Sequence, residues 1–125
     1  MILDTNALSA FVVQDSALLR VIQHAPELAL PVIVLGEYRF GISQSRHRSD
    51  YETWLGRDLH LFSVLPIVEE TTRHHAAIRL ELKRKGLPVP ANDAWIAALA
   101  RQHRLEIVSR DGHFDAIANL QRIDW

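Results

Sequence analysis

Residues 91–111 read ANDAWIAALARQHRLEIVSRD, and this stretch decides the class of fold. Its first part, 91–104, has apolar residues at helical spacing, and its second part, 106–109, is a short apolar run typical of a buried strand. A helix that leads directly into a buried strand is half of an α/β crossover unit, which predicts parallel strands. The stretch therefore predicts an α/β fold in which an acid, Asp111, lies just beyond a strand end.

The rest of the chain repeats this alternation of strands and helices. The sequence predicts strands at 1–4, 27–30, 63–68, 106–109 and 120–125. It predicts helices at 7–13, 16–25, 32–43, 49–62, 69–86 and 91–104, with a short helical turn at 112–119. Pro31 suits the first turn of the helix at 32–43, although its β-branched start also permits a strand at 32–35.

Length and composition limit what the chain can be. At 125 residues, of which 48% are apolar, the sequence predicts one domain over 1–125 with a full hydrophobic core. The absence of cysteine excludes disulfides and Cys-ligated zinc and fits a reducing cytoplasm. No signal peptide and no membrane-spanning run is expected. With a net charge of −1, a nucleic-acid-binding role requires locally placed Arg or bound cations.

Four acidic residues occupy positions that would bring them to one edge of the sheet. Asp4 follows the first predicted strand, and Asp111 follows the strand at 106–109. Glu37 interrupts an apolar helix. Asp93 begins the run DAWIAALA, whose small residues let a helix lie close to the sheet. Because ligands bind outside the carboxyl ends of parallel strands, we expect a site at this edge.

Each acid also has an ordinary structural explanation when it is taken alone. Asp4 and Asp93 suit helix N-termini, Asp111 suits a turn, and Glu37 suits a helix edge. Carboxylates that converge repel one another, so such a cluster requires bound cations or raised pKa values. Hard oxygen ligands favour Mg²⁺ or Mn²⁺ over zinc, and a pair of such ions suits the attacking and leaving oxygens of a phosphodiester.

Four segments, in order along the chain, resemble the motifs of PIN domains: LDTN at 3–6, Glu37 after VIVLG, DAWIAALA at 93–100 and SRDGHFD at 109–115. The resemblance is to the VapC toxins of bacterial type II toxin–antitoxin pairs, and it runs from residue 1 to the closing LQRIDW. It implies a three-layer α/β/α fold with a mostly parallel central sheet. It also implies a metal-dependent endoribonuclease.

The resemblance assigns the site residue by residue. The acidic quartet, which would ligate Mg²⁺ or Mn²⁺, consists of Asp4, Glu37, Asp93 and Asp111. Small polar residues that line or support the site stand at the matching positions Thr5, Asn6 and Ser109.

The fourth motif departs from the family pattern and leaves some roles open. Many relatives have an acid directly before the Phe of this motif, where this chain has His113, and Asp115 follows the Phe. Asp111 and Asp115 are therefore both candidates for the fourth ligand, with Asp115 alternatively assisting from outside the ligand set. Arg110 is a candidate phosphate contact or a solvated surface residue. His113 is a candidate substrate contact or the donor of a structural hydrogen bond.

The implied reaction is hydrolysis of RNA, with tRNA or rRNA as expected substrates and inhibition of translation as the consequence. A metal-activated water would attack the phosphate, and Asp4 or Asp93 would orient or deprotonate it. The implied partner is a VapB-type antitoxin that places a side chain, often Arg, among the carboxylates. A homodimer, a toxin–antitoxin hetero-oligomer, and contact with operator DNA only through the antitoxin are also implied.

Two other classes of protein compete with this interpretation. A receiver-like signalling domain also has acids at strand ends, but it requires a lysine near them, and the only lysines, Lys83 and Lys85, lie at a predicted helix end. The stronger alternative is a PIN-like binding module that has lost catalysis and acts in a protein–DNA complex. The complete quartet favours the enzyme, although it does not establish turnover.

Overall fold

Five parallel strands form the central sheet, in the order β3–β2–β1–β4–β5. The structure, a computed structural model, describes residues 1–125. The strands are β1 Ile2–Leu3, β2 Ala29–Pro31, β3 Ser63–Leu65, β4 Ile107–Val108 and β5 Arg122–Ile123. The helices are α1 Thr5–Val12, α2 Ser16–Ile22, α3 Val32–Ser43, α4 Arg48–Asp58, α5 Glu69–Lys85 and α6 Ala91–His103, with 3-10 turns at Leu59–Leu61 and Gly112–Ala116.

The strand order reverses beside β1, and this reversal positions the candidate site. The chain moves from β1 through β2 to β3 in one direction and then returns to place β4 on the other side of β1. Because parallel crossovers are right-handed, α1–α4 cover one face of the sheet, and α5 and α6 cover the other. The predicted three-layer α/β/α fold with a parallel sheet is therefore confirmed. The crevice for ligands in such folds lies at the reversal, between the ends of β1 and β4.

The core lies on both faces of the two central strands. Both residues of β1 and both residues of β4 are completely buried, as expected for a parallel sheet covered by helices on two sides. Four alanines of α6, Ala94, Ala97, Ala98 and Ala100, are also buried, and their small side chains let this helix lie close to the sheet. Each α6 residue from Ile96 to Ala100 is buried, so α6 cannot shift without disturbing the core. Asp93, in the first turn of this helix, is thereby held in a fixed position.

Several predicted element ends were wrong, and local chemistry explains them. The helix predicted at 7–13 begins at Thr5, because the side chain of Asp4 caps it. Pro31 is the last residue of β2 and the N-cap of α3, rather than part of the first turn of that helix. The strand alternative at 32–35 is wrong, since helix α3 begins at Val32.

The predicted outer strands were too long. The strand predicted at 63–68 ends at Leu65, because Pro66 has no N–H to donate to a neighbouring strand. The strand predicted at 120–125 is reduced to Arg122–Ile123, the only two residues that pair with β4. None of the helices combines the length and the apolar character that crossing a membrane requires.

Candidate active site

Asp4 is both a helix cap and a member of the candidate site. Its Oδ1 accepts a hydrogen bond from the backbone N–H of Ala7 at 2.7 Å, which caps α1. Its Oδ2 accepts a hydrogen bond from the hydroxyl of Ser109. Only 5% of Asp4 is exposed, so this carboxylate is fixed in the crevice between β1 and β4. The sequence offered two explanations for Asp4, a helix cap and a member of a strand-end site, and its position is compatible with both.

Ser109 joins the ends of the two central strands. This fully buried residue donates its hydroxyl hydrogen to Asp4, and its Oγ accepts the backbone N–H of Asp111 at 2.9 Å. A hydroxyl has one donor and two acceptor lone pairs, so both contacts are compatible. Ser109 thus sets the spacing between the end of β1 and the turn that carries Asp111.

Asp93 and Asp111 face each other across a histidine. The Nδ1 atom of His113 lies 2.9 Å from Oδ1 of Asp111 and 3.6 Å from Oδ2 of Asp93. One ligand atom from each of these three residues lies within 4.8 Å of the others, so the group has the dimensions of a metal-binding cluster. The backbone N–H of His113 also donates to Asp111 at 2.9 Å, which fixes the turn.

Glu37 enters the same region from α3. It is half-buried, and its Oε1 atom is buried without a hydrogen-bond partner. With Thr5 and Tyr38, it lines a cavity of about 230 Å³ between α1 and α3. Its charge acts on Asp93, whose pKa it helps to raise. The structure therefore brings Glu37 towards the strand-end acids, with an oxygen that lacks a partner.

The pKa values of two of the acids are raised. Burial is the main cause for Asp4, opposed by the hydrogen bonds from Ser109 and Ala7, and the charge of Asp111 raises its pKa further. For Asp93, burial again comes first, followed by the repulsion of Asp111, while His113 lowers the pKa and Glu37 raises it. Burial and mutual repulsion together make the ionised state of these carboxyl groups unfavourable.

These residues fit a hard divalent cation. No Lys or Arg nitrogen lies within the 4.0 Å ion-pair distance of the four carboxylates, whose only ion pairs are those with His113. The buried, unpartnered Oε1 of Glu37 and the convergence of oxygen donors are the features that a cation such as Mg²⁺ or Mn²⁺ would satisfy. Asp4, Glu37, Asp93 and Asp111 are the residues that would hold it, and their role as ligands stays a prediction.

The other predicted site residues differ in whether they contact the carboxylate site. Thr5 lines the cavity beside Glu37, and Asn6 is exposed at the start of α1. The guanidinium of Arg110 stacks over Trp125, 4.5 Å from the ring centroid, and its Nε donates to the Trp125 carbonyl at 3.1 Å. Asp115 forms a two-oxygen ion pair with Arg122 rather than joining the carboxylates. Of the two candidates for the fourth ligand, the structure places Asp111 in the cluster.

Sequence reasoning missed Arg122. This residue of β5 contacts Asp115 and also donates to the backbone carbonyl of Ser109 at 2.9 Å. An arginine in a short strand beside the chain end has no local pattern that separates it from a surface residue. Only the pairing of β5 with β4 brings it to the candidate site.

Comparisons with known proteins agree with the fold and the motifs. The family model for the PIN domain matches residues 1–120. Ribonuclease VapC4 of Mycobacterium tuberculosis is 31% identical over 104 residues, which cover 78% of this chain and 76% of that protein. Ribonuclease VapC2 of Rickettsia felis is 28% identical over 99 residues, covering 78% of this chain and 74% of that protein.

Solved structures show the same similarity over nearly the whole chain. VapBC2 from Rickettsia felis, bound to a DNA fragment from its promoter, contains a chain that matches with a TM-score of 0.87 and 26% identity, covering 99% of this chain and 97% of that one. FitAcB from Neisseria gonorrhoeae matches with a TM-score of 0.88 and 28% identity, covering 98% and 95%.

Proposed function

This chain belongs to the PIN-domain family, as its four motifs predicted, and we propose that it is a metal-dependent endoribonuclease, the toxin of a VapBC-type pair. One observation carries the proposal. At the strand reversal, ligand atoms of Asp93, Asp111 and His113 lie within 4.8 Å of one another, and the charge of Asp111 also acts on Asp4. No Lys or Arg forms an ion pair with these acids, and Glu37 adds an oxygen without a partner. Such a site is suited to cations that bind phosphate oxygens.

A bound Mg²⁺ or Mn²⁺ would act as a Lewis acid on the scissile phosphate and lower the pKa of a coordinated water. The protein groups have their own tasks around it. Asp111 is held by the hydrogen bond between its N–H and Ser109, and the ring of His113 lies against it. Asp4 is held by Ala7 and Ser109, so its orientation is fixed before substrate arrives.

We assign Asp93 as the group that accepts the proton of the attacking water. Both oxygens of Asp4 already accept hydrogen bonds, whereas the one donor near the Asp93 carboxylate is Nδ1 of His113, 3.6 Å from its Oδ2. Burial and the neighbouring charge of Asp111 raise the pKa of Asp93, which makes its carboxylate a stronger base. RNA, either tRNA or rRNA, is the proposed substrate, and its cleavage would inhibit translation.

A VapB-type antitoxin is the proposed partner. A guanidinium from that partner would satisfy several carboxylate oxygens of the site at once by bidentate hydrogen bonds. Several of the similar solved structures are of VapBC, including VapBC from Salmonella typhimurium bound to DNA, and another is a member of the VapBC family of toxin–antitoxin systems. We propose the same arrangement here, with a homodimeric toxin in a hetero-oligomer that reaches operator DNA only through the antitoxin.

The first experiment measures cleavage of purified tRNA and rRNA by the purified protein in Mg²⁺, in Mn²⁺ and in EDTA. We expect cleavage that EDTA abolishes and that Asp4→Asn reduces roughly 100-fold or more. Asp15→Asn is the matched control, because Asp15 caps α2 through its Oδ1 as Asp4 caps α1, yet it lies outside the site. Cleavage that persists in EDTA would reject the metal mechanism, and no cleavage of any RNA would favour the inactive binding module.

The second experiment tests the toxin role in cells. Expression of the wild-type chain should arrest growth, co-expression of the cognate antitoxin should relieve the arrest, and Asp4→Asn should be harmless. New RNA 5′ ends, mapped after brief expression beside the Asp4→Asn control, would identify the substrate. Normal growth under strong expression of soluble wild-type protein would contradict the toxin assignment.

A further inference from the structure

Arg122 makes three well-formed hydrogen bonds through a side chain that is only 17% exposed. Its Nε and Nη2 atoms donate to the two oxygens of Asp115 at 2.8 and 2.9 Å. Its Nη1 atom donates to the backbone carbonyl of Ser109 at 2.9 Å. The planar guanidinium therefore has one edge fixed by Asp115 and another donor aimed at the end of β4.

Each polar group of Ser109 forms at least one hydrogen bond. Its backbone N–H donates to the carbonyl of Ile123 at 3.0 Å, and its own carbonyl accepts from Arg122. Its hydroxyl donates to Asp4 and accepts from the N–H of Asp111. Because the peptide after Ser109 leads directly to the turn bearing Asp111, rotation of that peptide would move the Asp111 carboxylate relative to Asp4.

We propose that Arg122, oriented by Asp115, is a positioning residue that fixes the peptide of Ser109 and thereby the relative placement of the Asp4 and Asp111 carboxylates. This inference rests on the proposed nuclease function for its effect on catalysis. Arg122 touches neither acid directly, so its influence passes through Ser109. It also gives Asp115 a role outside the ligand set, as the group that holds the guanidinium in place.

A simple surface ion pair would behave differently. Asp115 is 57% exposed, and exposed pairs of this kind contribute little to stability. If Arg122 and Asp115 only formed such a pair, its loss would leave the turnover of the folded protein unchanged. If the pair positions Ser109, its loss would reduce turnover even though the protein stays folded.

The first test compares Arg122→Gln and Asp115→Asn with the control Asp58→Asn. Asp58 forms an ion pair with Arg57, 2.7 Å between Nη2 and Oδ2, that has no contact with the site. We expect Arg122→Gln to lower kcat by about 10-fold to 100-fold, because displaced catalytic groups carry penalties of this size. The KM for RNA should change less than about 2-fold, since a positioning residue does not bind the substrate. Asp115→Asn should lower kcat by a smaller factor, again with little change in KM. Asp58→Asn should change neither kcat nor KM.

The second test needs no metal and no substrate. In metal-free protein, the amide of Asp111 donates to Ser109 Oγ, and its hydrogen exchange reports whether that bond is kept. We expect exchange of this amide to become roughly 10-fold faster in Arg122→Gln. Exchange of the Val108 amide, which lies in the buried strand, should stay as in the wild type.

The exchanged pair Asp115→Arg with Arg122→Asp separates the two explanations most sharply. It restores an ion pair, but a carboxylate at 122 cannot donate to the Ser109 carbonyl. We expect the exchanged protein to keep the low kcat of Arg122→Gln. Its unfolding temperature should be no higher than that of the wild type, because Asp124, whose Oδ2 lies 3.5 Å from Nη1 of Arg122, would repel a carboxylate at 122. Arg122→Lys, which retains a donor, should recover part of the loss.

Wild-type kcat and wild-type exchange of the Asp111 amide in Arg122→Gln would overturn the positioning role while leaving the nuclease assignment intact. Recovery of full kcat by the exchanged pair would also overturn it. A wild-type protein that cleaves no RNA would instead contradict the proposed function, and the exchange measurement would still decide whether Arg122 fixes the turn. If Arg122→Gln fails to fold, Asp115→Asn gives the same comparison.

Discussion

Two groups of charged residues in this protein have opposite electrostatic characters. In the first, which we call the Glu81 cluster, Glu81 of α5 accepts from Arg101 and Lys85, each at 3.1 Å, and from the backbone N–H of Ala118 at 2.7 Å. In the second, the carboxylate site of Asp4, Glu37, Asp93 and Asp111, no Arg or Lys approaches any acid. One group is balanced within the chain, and the other is not.

The pKa values reflect this difference. Burial alone would raise the pKa of Glu81, but the hydrogen bonds from Ala118, Arg101 and Lys85 together lower it. For Asp93, burial raises the pKa and the nearby Asp111 adds to the effect, with only His113 opposing it. A carboxylate with a lowered pKa stabilises the fold, whereas one with a raised pKa costs stability at neutral pH.

This contrast distinguishes charged residues that stabilise the fold, in the Glu81 cluster, from those that we propose to bind a cation, in the carboxylate site. The Glu81 cluster joins α5, α6 and the loop at 116–118. The charge of Glu81 is therefore balanced by groups of the chain itself, without a bound ligand. The carboxylates of the site have no Lys or Arg partner and only the ring of His113 beside them, and carboxyl groups with perturbed pKa values in a crevice are typical of functional sites.

The largest expected effect is the loss of activity in Asp93→Asn. Removing the proposed base and one ligand should lower kcat/KM for RNA roughly 100-fold or more, while the free energy of unfolding stays equal or rises. Glu81→Gln, measured in the same RNA cleavage assay, should retain wild-type activity per folded molecule. Equal loss of activity in both variants would mean that the two groups do not differ in function.

Metal binding should stabilise the wild-type protein but not Asp93→Asn. Because a ligand that binds only the folded state stabilises it by mass action, Mg²⁺ at about 100 times its Kd should raise the free energy of unfolding by about 2.7 kcal/mol. Chemical denaturation in Mg²⁺ and in EDTA measures this difference. Glu81→Gln should keep the full increase, and an increase of equal size in Asp93→Asn would place the cation elsewhere.

Glu81→Gln should reduce stability rather than activity. The substitution weakens hydrogen bonds to two cations, one of which, Arg101, is largely buried, so we expect a loss of about 1–2 kcal/mol in the free energy of unfolding. Glu52→Gln is the matched control, because Glu52 pairs with Arg48 on the exposed surface of α4 and should cost about 0.5 kcal/mol or less. Urea denaturation of both variants checks the difference, which would vanish if the Glu81 cluster were only a surface network.

The sequence predicted the carboxylate site better than the Glu81 cluster, for a physical reason. Asp4 and Asp111 directly follow buried strands, so the rule for parallel sheets placed them at one edge. Two partners of Glu81, Arg101 and Ala118, come from a different helix and from a loop more than thirty residues away, and no local pattern joins them to Glu81. Lys85, the third partner, follows Glu81 by four residues on the same helix, a spacing at which opposite charges pair, but that spacing gives no sign of the contacts with α6 and the loop.

Contacts that depend on a side chain crossing between elements were equally hidden. Ser109 was expected at the site, but its hydrogen bond to Asp4 joins residues 105 positions apart. The hydrogen bond of Arg122 to Ser109 exists because β5 pairs with β4, and the length of that strand was overestimated. The fold could be predicted from the pattern of apolar residues. The hydrogen bonds that hold the site residues in place depend on how the strands pair, which that pattern does not reveal.

The smallest expected effect is a pH dependence of opposite sign in the two groups, measured in metal-free protein. The folded pKa of Asp93 lies above its ordinary value of 3.8, so the contribution of Asp93 to stability falls as pH rises from 3.8 through the folded pKa. Asp93→Asn should therefore be more stable than wild type at pH 7, and its advantage should vanish below 3.8. The folded pKa of Glu81 lies below its ordinary value of 4.5, so its contribution is complete above 4.5 and is lost as pH falls through the folded pKa.

The two variants should consequently approach wild-type stability from opposite sides as the solution becomes acidic. Thermal unfolding in EDTA between pH 3 and pH 7, with each variant compared with wild type at the same pH, measures both differences. A variant of Asp93 that is less stable than wild type at neutral pH would show that its carboxylate is already balanced within the chain. We propose a cation site at this edge of the sheet because no Lys or Arg balances its carboxylates, so that result would remove the basis for the proposal.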